Sequence, residues 1–237
     1  MGQVDPGSKA GRAQTARTAR LSRETVLAAA VDLADRAGLA EVSMRTLAHD
    51  LGVVPMALYK HVANKDQLLA GMIDVVIAQI PSATSELGWK DAIRRQILAA
   101  RQIMLNHPWA SQLMASRTQV TPAVLGHMDA VIGTFLAGGF PPELAHQVMH
   151  SLGTRMWGFN LEVFPTAPPP DDPAIREAML AQLAAAYPHI AAVAAAGSHD
   201  AAGIVGPGCD DQAEFEFGLD VLLDGFERLL TGGSHPA

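Results

Sequence analysis

The chain has 237 residues, 49% hydrophobic but only 5% aromatic, with one cysteine and a net charge of −7. Such a composition excludes a disulfide-stapled fold and a uniformly basic nucleic-acid coat, and no run of about 18 apolar residues predicts a membrane span. Charge is uneven: residues 1–65 hold nine Lys/Arg and six Asp/Glu, +3, whereas 66–237 hold eight and eighteen, −10. That asymmetry predicts a small polyanion-binding head on an acidic body with another task. A reducing cytoplasm is the expected compartment, and no secretory signal is expected.

Residues 1–21 are rich in Gly, Ala, Thr and Arg without an apolar period. They read as a mobile basic arm, either a solvated tail or a strand touching a DNA groove. Ser22 can cap a helix over 22–37, with Val26, Ala30, Leu33 and Ala37 in helical period and Gly38 as its stop. Ser43 can cap a second helix, with Met44, Leu47, Ala48 and Leu51 on one face and Gly52 as its end. Pro55 suits the first position of a short third helix over 55–62. Asn64 caps a fourth, with Gln67 placed for a capping box, and that helix runs to Pro81. Projection at 100° per residue sets Leu58 and Val62 inward and Met56, Tyr59 and Lys60 outward, with Ala57 on the flank and His61 near the packed side. Two short helices joined by a Gly-containing turn form a helix-turn-helix, whose second helix reads the major groove.

Beyond Pro81 the sequence predicts helices over 88–106, 108–117, 121–137, 142–163, 173–196 and 211–231, with Pro- and Gly-rich breaks and no strand pattern. The fold class is all-α: a three-helix head over 22–66, a linker helix to about 80, and a helical bundle over 81–237. Met104, Met128, Met149, Met156, Trp109, Trp157, Phe135 and Phe159 suit an adaptable apolar cavity, with His107, His127, His150, Arg155 and Asn160 as polar neighbours; each apolar residue alone is equally at home in a core. The last helix carries Phe215, Leu219, Leu222, Phe226 and Leu230, a stripe broad enough for a subunit interface or an internal core, with Gly153 allowing a close helix approach. His146 and His150 stand at i, i+4, but no motif supplies further ligands, so no metal is assigned. Cys209 lies in an acidic "GPGCDD" loop, which disfavours thiolate chemistry. There is no GxSxG, Gly-rich phosphate loop or HExxH, so neither enzymatic activity nor a cofactor is expected.

The stretch "RETVLAAAVDLADRAGLAEVSMRTLAHDLGVVPMALYKHVANKDQLLAGM" closely resembles the DNA-binding head of the tetracycline-repressor (TetR) family, through its "GL…SxRxLAxxLGV", "LYxHV" and "NKxxLL" runs in order. The "HPW" and "FxFGLDxLLDGF" stretches are similar to that family's ligand domain. The resemblance implies a homodimer on a palindromic operator, released by a small molecule. It places Tyr59, His61 and Lys65 on phosphates, and Arg45, with neighbouring Thr46 and the start of the third helix, at base edges. Pro55, Met56 and Ala57 offer no side-chain donor, so they can make only apolar contacts, for instance with thymine methyls. Direct base discrimination is therefore expected from Arg45 and Lys60. For Tyr59 a rim-of-core role stays open, for Lys60 plain solvation, and for His61 a structural role. The function read from the whole is a ligand-responsive repressor. An activator or corepressor-dependent regulator, or a helical carrier or enzyme whose head binds protein, are the alternatives.

Overall fold

The computed structural model describes residues 21–82, 87–117, 120–158, 172–196 and 211–232, without side chains at 154–158, 193–196 and 211. Every regular element among the described residues is helical. The chain divides into two compact units, Met1–Pro81 with Gln102–His127, and Ser82–Arg101 with Met128–Ala237.

In the first unit, α1 (Arg23–Ala37) and α2 (Met44–Asp50) begin with the same device. Ser22 Oγ accepts from the Thr25 N–H and Thr25 Oγ1 accepts from the Ser22 N–H; Ser43 and Thr46 repeat the exchange. Each pair satisfies two donors that a helix start otherwise leaves unmet. A 3-10 turn, Leu39–Glu41, fills the link between them. Arg36 ties the same two helices from outside, bonded to Asp32 and Asp50 at 2.9 Å each. Gly52, at φ 65°, turns the chain out of α2 in a conformation that a side chain would strain. Pro55 then opens α3 (Pro55–Leu58).

This third helix is shorter than the expected 55–62, because two helix ends and a new N-cap share ten residues. A turn replaces its last part, with Val62 N–H donating to the Leu58 carbonyl at 3.0 Å, so Val62 stays on the Leu58 side. α4 (Lys65–Ile77) starts at Asn64, whose Oδ1 accepts from the Gln67 N–H at 2.8 Å. Gln67 Oε1 reaches one residue beyond the expected partner and accepts from the Ala63 N–H at 2.7 Å. Pro81 biases the preceding residue away from helix, and α4 gives way after Ile77 to a tighter turn through Ile80. Val26, Ala30, Leu47, Leu58, Leu68 and Met72 are fully buried between these helices. A fully buried aliphatic side chain of this size contributes about 1.5–3 kcal/mol. Gly71 lets α1 and α4 approach: a Cβ there would lie 2.6 Å from a Leu27 methyl.

The first unit also contains the end of α5 (Trp89–Asn106), α6 (Pro108–Ala115) and the start of α7 (Pro122–Ala137). The sequence places this stretch with the body. Trp109, Ala110 and Leu113 are buried and α6 packs on α1 and α4.

The second unit holds the rest of α5 and α7 with α8 (Pro142–Gly158), α9 (Pro173–Ala186), α10 (Pro188–Ala196) and α11 (Asp211–Gly232). The single helix expected over 173–196 is two, because Pro188 has no N–H and its ring clashes with the carbonyl four residues back. The core joins Ile93 and Ile97 to Phe135, Phe140, Leu144, Val148, Phe215 and Leu219. Phe215 and Leu219 are therefore not available for a subunit interface: both are 0% exposed within the chain. Phe226 is buried in the same core and Leu222 packs against its edge. Gly153 is half-buried and faces open space. Trp89 stacks edge-on against Phe140 at 4.7 Å, over Gly138, where a Cβ would come within 2.7 Å of Trp89 Cβ. Outside the core, Arg94 bonds Asp220 at 2.6 Å and Glu216 at 2.7 Å, and Lys90 bonds Glu227 at 2.6 Å and Asp224 at 2.7 Å. No helix among the described residues is long and apolar enough to cross a membrane.

Candidate nucleic-acid interface

α3 has four residues, too few for an autonomous helix, so its orientation comes from what it buries. Leu58 is 0% and Val62 1% exposed, and both seal against the first unit's core. Met56, by contrast, is 72% and Tyr59 45% exposed. Pro55 and Lys60 are exposed, while Ala57 and His61 are half-buried. The face that meets solvent is thus an apolar patch edged by a phenol and an ammonium, as the 100° projection predicts.

Two further cations flank it. Arg45, the second residue of α2, is exposed, and Lys65 opens α4. Among the described residues no carboxylate pairs with Arg45, Lys60 or Lys65, whereas Arg36 of the same unit is neutralised by two. A guanidinium free to fork suits guanine, and a lysine at a helix start adds its charge to exposed N–H groups that favour phosphate. Thr46 differs: its hydroxyl donates to the Glu41 carbonyl at 2.6 Å and accepts from the Ser43 N–H, so it serves the cap of α2. The basic arm, residues 1–20, lies outside the described residues, as does Cys209.

The described residues expected to line a ligand cavity are divided between the two units. Met104 is buried in the first unit. His107 caps α6 there, its Nδ1–H donating to Asp35 at 2.8 Å, and Trp109 Nε1–H donates to the same carboxylate at 2.7 Å. His127 is half-buried in that unit, and burial pushes its imidazole below the ordinary value of 6.5. In the second unit Phe135 is core, Met149 packs at its edge, and His150 is exposed with its ring 4.6 Å from that of His146. No group of three or more metal-ligating side chains occurs among the described residues. The side chains of Arg155, Met156 and Trp157, and all of Phe159 and Asn160, lie outside them.

Two buried polar residues escape the sequence reading. Gln96 is 4% exposed with an Oε1 that has no hydrogen-bond partner, and Arg101 is 5% exposed with its guanidinium 4.4 Å above the Phe215 ring. Both belong to α5 and the second unit. Their signal in the sequence is a polar residue within the apolar face Ile93, Ile97, Ala100.

Residues 81–230 match the family model for the tetracyclin repressor-like C-terminal domain, and residues 26–72 that for bacterial regulatory proteins of the tetR family. An HTH-type transcriptional regulator of Saccharopolyspora erythraea is 34% identical over 51% of this chain, and the match spans about half, 51%, of that relative. The HTH-type transcriptional repressor DrrR1 of Streptomyces coeruleorubidus is 28% identical over 89% of this chain and 79% of its own length. Among solved structures, the TetR family protein ActR of Streptomyces coelicolor in complex with actinorhodin shares the fold, with a TM-score of 0.69 at 24% identity, covering 91% of this chain and all of that one.

Proposed function

The chain belongs to the tetracycline-repressor family of transcriptional regulators, and from that premise we propose that it is a homodimeric repressor that leaves a palindromic operator when a small apolar or amphipathic molecule binds. The observation that carries the reading is the split of one short segment: Leu58 and Val62 buried, Met56, Tyr59 and Lys60 outward. Such a segment, edged by Arg45 and Lys65, which no carboxylate among the described residues pairs, fits a major groove. Arg45 and Lys60 read base edges, Met56 and Ala57 touch thymine methyls, and Tyr59, His61 and Lys65 bind phosphates.

The dimer forms through the outward side of α11. Phe217, Val221 and Leu229 are 72%, 55% and 46% exposed, a second apolar face distinct from the one that fills the core. Gly225 has open space beside it, and Leu222 closes the edge. A two-fold pair of heads about 34–36 Å apart fits a palindrome. In the body, the unpartnered Gln96 acceptor offers a hydrogen bond to an effector donor, because a buried amide oxygen left unbonded is costly. A small-molecule effector is in keeping with the S. coelicolor TetR family protein of the same fold, which is solved in complex with actinorhodin.

Selection from a random duplex pool tests the reading. A two-fold symmetric site should emerge, and its affinity should fall steeply with salt. Arg45→Ala should lose about 1–3 kcal/mol at one base pair per half-site and little elsewhere. Equal loss on all sequences would move Arg45 to the phosphates, and no selected duplex at low salt would end the proposal.

A further inference from the structure

The outward face of α8 carries two imidazoles at helical spacing. Leu144, Ala145, Val148 and Leu152 bury the inner side of this helix, each 5% exposed or less. Glu143, His146 and His150 are exposed on the opposite side. His146 and His150 stand at i, i+4, about 6 Å apart along the helix axis. Their ring centroids are 4.6 Å apart and the ring planes cross at 75°. The buried side pins the backbone of these turns, so the helix itself fixes how far apart the two side chains start.

The separation decides what the pair can hold. A tetrahedral zinc keeps each imidazole nitrogen at about 2.0–2.1 Å, which puts two ring centroids about 5 Å apart. The 4.6 Å of this pair is close to that value. The angle between the planes is not fixed by a metal, because each ring can turn about its own metal–nitrogen bond. Turning a ring about Cβ–Cγ hardly moves its centroid, since that bond points through the ring. Two exposed side chains can therefore bring one nitrogen each to a shared ion without a backbone shift. The second nitrogen of each ring then serves a hydrogen bond, as it does in ligating histidines generally. Imidazole suits zinc, nickel or copper, whereas magnesium and calcium prefer oxygen. Among the described residues no third ligating side chain joins the pair, so water completes the shell. Glu143, one turn earlier on the same face, adds negative charge near the ion.

We propose that His146 and His150 form a divalent transition-metal site on the body, a clip across two turns of α8. The ion stabilises the second unit, because it binds the folded helix and finds no such pair of rings in the unfolded chain. The site goes beyond the DNA-binding reading and does not depend on it.

The test uses the full chain without an affinity tag. Zn²⁺, Ni²⁺ and Mg²⁺ are each titrated calorimetrically into the parent, H146N, H150N and the exchange H150S/S151H. The exchange keeps both histidines and turns one of them by about 100° around the helix. H189N, at an exposed histidine of α10, controls for general imidazole binding. The parent should bind one Zn²⁺ or Ni²⁺ per chain and no Mg²⁺. H146N, H150N and H150S/S151H should each bind about tenfold more weakly or worse, and H189N like the parent. E143Q should weaken binding about twofold. Zinc should also raise the urea midpoint of the parent and leave that of H146N where it was, the two midpoints being equal in chelator. If H150S/S151H holds zinc as tightly as the parent, or the parent takes up none at millimolar zinc, the pair is a ring stack only and the site is refuted.

Discussion

At the scale of single residues, Leu58 is the anchor of the reading surface. Its side chain is wholly buried beneath a helix of four residues. Leu58→Ala should destabilise the first unit by about 2–5 kcal/mol, since the cavity cannot collapse without tilting α3. Urea unfolding gives the value, and Met56→Ala, at a 72% exposed site, should leave the midpoint unchanged. His127 supplies a pH signature. Burial lowers its folded value below the ordinary 6.5, so its contribution is present above that value and lost as pH falls through the folded one. Between pH 7.5 and 5.5 the unfolding midpoint should drop, and His127→Gln should drop less; equal falls would show that His127 is not the source. The inward side of Leu58 and Val62 and the outward side of Met56 and Tyr59 were legible in the sequence, because 100° steps fix one when the other is set. The hydroxyl of Thr46 was less so: its neighbour Arg45 suggests DNA, whereas Ser43 three residues earlier captures it for a cap.

At the scale of elements, the contact of α5 with α11 is both greasy and charged. Arg94 and Lys90 face four acids of α11. The Gln212 amide and then Arg94 hold the Glu216 carboxyl below its usual value, and Lys90 does the same for Asp224. These contributions are present above the ordinary carboxylate range and lost as pH falls below it. Arg94→Gln should cost about 1 kcal/mol, since the fork is a third exposed, and high salt should shrink that difference. Gly138→Ala should cost more, about 1–3 kcal/mol, because the new methyl meets the Trp89 Cβ, which cannot swing aside. Four of the body's acids are thus answered locally by α5, while its net charge stays negative. The α11 stripe shows what periodicity leaves open. Phe215, Leu219 and Phe226 are spaced like an interface and yet lie in a core, since a hydrophobic period records that a face is covered and not by which chain. The contact of α6 with α1 was equally hidden, because Trp109 meets Asp35 across 74 positions.

At the scale of the whole molecule, two proposed binding events must report to each other. If an effector lowers operator affinity by some factor, the operator lowers effector affinity by the same factor. Calorimetric titration of effector into free and operator-bound protein checks this, and equal affinities would exclude repression by release. Phe217→Glu should raise the dimer dissociation constant at least tenfold, measured by sedimentation, by placing a charge on the exposed face of α11. The front-to-back change of charge made a two-part molecule legible from composition alone. Within that division, 102–127 clusters with the first unit through long-range burial. The brevity of α3 has a last consequence. Met56, Tyr59 and Lys60 contribute little to folding, so they can be exchanged almost freely while the scaffold beneath stays intact. A lineage built this way can acquire new target sites by drift at a handful of surface letters, with thermal stability left as it was.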